Sequence, residues 1–168
     1  EDMIYTDNIR IVHVNRWIKN SEESIIDCFK NVLGVFSATG KNNIALIVKR
    51  MPQRADMYFA IRNEGENMNS FSKSSCELLI STLGGNFKGS EFEKIEYKKE
   101  NDAQSIREQI FDFNNKKVNS VATVCGIPSE KSKEFVSQGI EKLLDGIIPE
   151  SNDKGYILVI LAKPIDSD

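Results

Sequence analysis

Between Ile9 and Val14 apolar β-branched residues recur in partial alternation, Ile9, Ile11, Val12 and Val14, with Trp17 just beyond. This two-residue period predicts a strand. The period then lengthens. Asn20-Ser-Glu-Glu23 offers a cap with Glu23 at the capping-box position, and Ile25, Ile26, Phe29, Val32, Leu33 and Phe36 follow at helical spacing, so an amphipathic helix ends between Gly34 and Gly40. Ile44 to Val48 and Met57 to Ile61 are short apolar runs that read as an antiparallel pair joined by the loop from Met51 to Asp56. A second helix is predicted from Ser70 to Leu83, with Phe71, Ser75, Leu78, Leu79, Thr82 and Leu83 on one face and Gly84-Gly85 as its left-handed stop. Phe92, Ile95 and Tyr97 make a weak strand. Asn101-Asp102 caps a helix that carries Ile106, Ile110 and Phe113. Val118 to Cys125 reads as a buried strand closed by Gly126-Ile127-Pro128. Ser132 caps a last helix that turns Val136, Ile140, Leu143, Leu144 and Ile147 inward, and Tyr156 to Ala162 is the most apolar strand of all.

The resulting order is β-α-β-β-α-β-α-β-α-β. It predicts an α/β sandwich, with α+β as the alternative, built on a mixed six-stranded sheet with about four helices. The later alternation favours right-handed crossovers and parallel pairing, with helices on at least one face. A chain of 168 residues fits a single domain over 1–168.

Composition narrows the chemistry. Charged residues are balanced, 22 − 25 = −3, too even for a dedicated counterion-releasing nucleic-acid binder while leaving room for a local basic patch. Cys28, Cys76 and Cys125 each lie in apolar stretches and read as reduced core residues of a cytoplasmic protein. There is no Cys-x-x-Cys or His-x-x-x-His spacing, and so no ligand set for structural zinc. The longest apolar run, Tyr156 to Ala162, falls far short of the roughly 20 residues that span a bilayer. The opening Glu-Asp-Met carries no signal peptide, and with the polar tail Asp166-Ser-Asp168 it suggests a piece of a longer protein.

Candidate motifs mostly have structural explanations. Gly34 to Asn42 imitates a P-loop, but five residues separate its glycines, Asn42 replaces the Ser or Thr that would hold Mg²⁺, and the segment follows a helix. Gly84-Gly-Asn-Phe-Lys-Gly89-Ser90 also follows a helix. His13 shares a strand face with Ile11 and Asn15, as a surface or hydrogen-bonded sheet histidine. The carboxylates, among them Glu22-Glu23, Glu91/Glu93/Glu96 and Asp102, sit in turn or capping contexts. Lys49, Arg50, Arg54 and Arg62, with Lys41, flank the central hairpin and form a candidate basic rim for a phosphate or an acidic partner, against the simpler reading of a solvated hairpin end. Most phenylalanines suit helical core faces. Trp17 stands out as a candidate interface residue, and Gly139 suggests close packing of the last helix. No residue set here points to a catalytic, cofactor or metal site.

Val124-Cys-Gly-Ile-Pro-Ser129, the run from Phe135 to Asp145 and Tyr156-Ile-Leu-Val-Ile-Leu-Ala-Lys-Pro164 together resemble the region ahead of the motor in bacterial ATP-binding proteins of the HerA/FtsK-like class. The Tyr58-Phe-Ala-Ile-Arg62 phrase and the turn from Gly85 to Ser90 are similar to parts of the same family. Every matching phrase is structural. The resemblance implies a non-catalytic N-terminal domain of a larger ATPase that moves DNA or polypeptide. Its partners would be its own downstream motor and like subunits, with no membrane and with nucleic acid left open. The competing expectation, from a different class, is a small enzyme or ligand-binding module with a pocket near Gly126 to Ser129.

Overall fold

The computed structural model describes residues 9–18, 25–38, 42–63, 68–96, 106, 108–112, 120–123, 144–151 and 154–163. Five strands, β1 (Ile9–Arg16), β2 (Asn42–Arg50), β3 (Ala55–Asn63), β4 (Glu91–Lys94) and β5 (Tyr156–Ala162), form one sheet in the order β4-β1-β3-β2-β5. Two helices, α1 (Ile25–Ser37) and α2 (Met68–Asn86), fall between them, and helical backbone recurs at 108–111 and 144–146. The class is the expected mixture of helix and sheet. Each pairing is antiparallel. The parallel pairing expected of the later half is not found among the described residues, and the strands number five where the periodicity suggested six. The run expected as a sixth strand, Val118 to Cys125, is described only at 120–123, which is neither strand nor buried; Val121 is 84% exposed.

The register explains why each strand carries apolar residues on both faces. Val12 pairs with Phe59 and Leu46 pairs with Phe59 from the other side, which aligns Val12, Phe59 and Leu46 on one face. Ile11 and Ala45 both pair with Ala60 on the other. On the first face Val12, Val14, Ile44, Phe59 and Ile61 pack against Cys28, Val32 and Phe36 of α1 and Cys76, Leu79 and Leu83 of α2. On the second, Ile11, Ile47 and Tyr58 pack against Ile106 and Ile110. A sheet covered on both faces buries its central strands twice over, at roughly 1.5–3 kcal/mol for each fully buried aliphatic side chain. Cys28 and Cys76 are buried, as expected, and Cys125 lies outside the described residues.

α2 departs from its expected geometry in two ways. Its inward stripe runs Cys76, Leu79, Leu83 and then Phe87, so the expected Leu79 and Leu83 do face the sheet, whereas Leu78, expected on the same face, is 41% exposed and Thr82 is only half-buried. Leu78, Leu79 and Ile80 are consecutive apolar positions, and the sheet takes Leu79. The helix also continues through Gly84 and Gly85 to Asn86, with Phe87 N–H donating to the Leu83 carbonyl at 2.8 Å. The left-handed residue is Gly89, at φ 82°, in the turn that delivers the chain to β4.

That turn is tied to the end of β1. Arg16 Nε donates to the Gly89 carbonyl at 3.2 Å, and Ile18 N–H donates to Ser90 Oγ at 2.9 Å. Trp17, expected as an interface residue, is half-buried instead among Phe87, Phe29 and Phe92, with ring centroids 4.5, 6.0 and 6.4 Å away. The expected caps at Asn20, Asn101 and Ser132, and Gly139 with most of the last helix, lie outside the described residues. Ile147, expected to point inward, is 53% exposed, because helical backbone has ended at Gly146.

Candidate functional site

The hairpin β2–β3 determines where the candidate basic rim goes. Lys49 pairs with Asp56 and Arg50 with Ala55 at the turn end, whereas Arg62 pairs with Asn43 at the other end. Arg62 lies six residues along β3 from Asp56, a span of roughly 20 Å. Lys49, Arg50 and Arg54 are thus gathered without Arg62, and Lys41 lies outside the described residues. The gathered three are engaged within the fold. Lys49 is 6% exposed, and its Nζ donates to the carbonyls of Gln109, at 2.7 Å, and Asp112. Arg50 Nε donates to the Leu144 carbonyl at 3.2 Å and Nη1 to that of Met51 at 2.9 Å. Arg54 Nε lies 3.2 Å from Asp56 Oδ2. Burial, partly offset by Asp56, holds the Lys49 ammonium below its ordinary 10.5.

A polar row crosses the second face of the sheet. His13 pairs with Tyr58 of β3 on one side and Glu93 of β4 on the other. The His13 and Tyr58 rings stack with centroids 4.9 Å apart, and Glu93 Oε2 accepts from Asn15 Nδ2 at 2.8 Å. Burial, reinforced by Asp56, pushes the Tyr58 hydroxyl above its ordinary 10.0. The stacking confirms that His13 shares a face with Ile11. The row itself appears only once the register is known, because its members are 45 and 35 positions apart in sequence. A buried amide pair was equally hidden: Asn63 Nδ2 donates to Asn42 Oδ1 at 3.0 Å across the far end of the hairpin.

β5, the most apolar strand of the sequence, takes an end position among the described strands of the sheet, and Val159, Ile160 and Leu161 are 50, 38 and 59% exposed. Pairing with β2 puts Ile160 on the α1 face and Val159 and Leu161 on the opposite face, so both sides of the strand present apolar surface. Beside Ala162, between β2 and α1, lies a cleft of about 130 Å³ lined mainly by Leu33, Phe36 and Ile44. Leu33 and Val35 of α1 are themselves exposed. Ile147 and Ile148, exposed just before the turn into β5, add to the apolar surface of this part of the chain.

No group of three or more metal-ligating side chains occurs among the described residues. The segment from Gly34 to Asn42 joins a helix to a strand, the reverse of the order a P-loop requires. Gly126 to Ser129, where a pocket was the alternative expectation, lies outside the described residues. No described helix is long and apolar enough to cross a membrane. Comparison of the chain with protein-family models, curated proteins and solved structures finds no match, so fold and site carry the functional reading.

Proposed function

We propose that this chain is a non-catalytic accessory domain that works by assembly, contributing to a cytoplasmic HerA/FtsK-like P-loop ATPase of the kind it resembles. The observation that carries the reading is the uncharged β5 flank, where Val159, Ile160 and Leu161 present apolar surface on both sides of a sheet end. Contiguous exposed apolar surface rimmed by polar residues is characteristic of a docking face. The engaged cations support the same reading: Lys49, Arg50 and Arg54 hold carbonyls and a carboxylate of the fold and serve as struts. Nucleotide chemistry would then belong to the motor and not to this chain.

Isothermal titration of the 168-residue chain with Mg·ATP tests the proposal. The expected result is no binding heat into the millimolar range and no released phosphate. Micromolar affinity or turnover overturns it.

A further inference from the structure

We propose that the C-terminal pieces of the fold, Ile106 with 108–112, 144–151 and β5, form one detachable unit that docks on β2 and leaves it as a whole while residues 9–96 stay folded. The inference goes beyond the assembly reading and does not depend on it. The strand order shows where the division falls. In β4-β1-β3-β2, β3 lies between β1 and β2, and β1 lies between β3 and β4. β1-α1-β2 and β3-α2-β4 are therefore two split β-α-β units that interlock, each inserting a strand into the other. The larger buried cluster belongs to this pair: each of its described residues lies between Val12 and Phe92.

Hydrogen bonds from β2 join the remaining pieces to this pair. β5 forms its ladder along Ile44 to Arg50, Lys49 Nζ reaches the Gln109 and Asp112 carbonyls, and Arg50 Nε reaches that of Leu144. Lys49 and Arg50 are consecutive, and their side chains leave β2 toward opposite faces, so one strand end holds two helical pieces. The pieces also hold each other. Ile106 and Ile110 of the helical segment and Ile157 of β5 pack in one cluster with Ile11, Ile47 and Tyr58, and Ile157 pairs with Lys49 itself. Departure of either piece alone strips the other of this shared apolar contact. Native proteins open in such cooperative units, at less than the free energy of global unfolding. Undocking uncovers Ile11, Ile47 and Tyr58 on one face of a sheet whose other face remains closed by α1 and α2.

Native-state hydrogen exchange of the intact chain across a series of low urea concentrations tests the inference. Its reporters are the Asp112 amide, bonded to the Glu108 carbonyl at 2.8 Å, the β5 amides in the ladder with β2, and the amides between β1 and β3. The expected result is one opening free energy and one urea dependence shared by Asp112 and β5, both smaller than those of the β1–β3 ladder. Two variants read the coupling. Lys49→Met is expected to speed exchange in β5 as well as at Asp112, and Arg50→Met to speed it at Asp112 as well as in β5, each by about tenfold, the effect of losing a charge-assisted bond. One free energy and one slope for all three reporters, distinct values for Asp112 and β5, or a Lys49→Met chain whose β5 exchange is unchanged overturns the proposal. These outcomes are independent of the ATP titration: separate openings defeat the detachable unit alone, and ATP binding defeats the accessory-domain reading alone.

Discussion

Lys49 Nζ lies 2.7 Å from the carbonyl oxygen of Gln109, which joins the second strand of the sheet to the end of a helical segment 60 positions later. A second bond from the same ammonium reaches the Asp112 carbonyl. Carbonyls at a helix C-terminus lack partners within the helix, and a cation supplies donors while meeting the negative end of the helix dipole.

Lys49→Met keeps most of the aliphatic stem and removes the donors. It is expected to cost about 2 kcal/mol in urea unfolding at neutral pH, since two buried carbonyls lose a charged partner. The pH dependence has a definite sign. With the folded-state pKa below the ordinary 10.5, the unfolded chain binds more protons in the window between the two values. The wild type therefore gains stability relative to Lys49→Met as the pH rises through that window toward 10.5. A difference between the two proteins that shrinks on going alkaline contradicts this.

Tyr58 acts in the opposite direction. Its hydroxyl is held above the ordinary 10.0 by burial, so the unfolded chain ionises first and stability is lost as the pH passes 10.0 toward the raised folded value. Tyr58→Phe is expected to flatten that part of the decline in wild-type stability, leaving the parallel contribution of Tyr156, whose hydroxyl is also raised by burial. Thermal melts across the alkaline range measure it.

Adjacent leucines on α2 should respond very differently. Leu79 is fully buried against the sheet, and Leu79→Ala is expected to cost about 3 kcal/mol through lost transfer energy and the cavity left behind. Leu78→Ala, on the exposed side, should change stability by about 0.5 kcal/mol or less. Equal effects in chemical denaturation would place the inward stripe elsewhere.

The glycines divide in the same way. Gly89 has φ 82°, and an added Cβ would lie 3.1 Å from Ile18 Cδ1, so Gly89→Ala is expected to destabilise by about 1–2 kcal/mol. Gly34 and Gly84 lie within helices with nothing near an added Cβ, so alanine there should stabilise by about 0.5–1 kcal/mol. Midpoints of thermal unfolding for the three variants give the comparison directly.

Much of the fold is written in local periods. The alternation around Ile11 to Val14 and the hairpin runs around Ile44 and Met57 give β1, β2 and β3, and the helical spacing of Val32 and Phe36 gives α1. What local periods do not carry is which edge meets which. Arg62 is close to Arg54 in sequence and lies at the far end of the hairpin, because strand register and not sequence distance sets position. Lys49 looks like a surface cation until a helical segment from elsewhere in the chain covers it. The double glycine at Gly84-Gly85 resembles a stop, yet packing of Leu83 and Phe87 carries the backbone past it. The apolarity of β5 is equally compatible with an interior or an end position, and only pairing with β2 decides between them.

The β2–β5 ladder also bears on the order in which the protein forms. Its registered pairs, such as Ile44 with Ala162, join residues separated by most of the chain, whereas β2–β3 closes over a short turn. Closing the larger loop carries more chain entropy and raises the contact order, so the hairpin is the earlier event. During synthesis the outer edge of β2 waits for its partner until the ribosome has passed Ala162. Over that interval a nascent chain displays the apolar run Ile44 to Val48 as an unfilled template, and β5 acts as the strand that closes it.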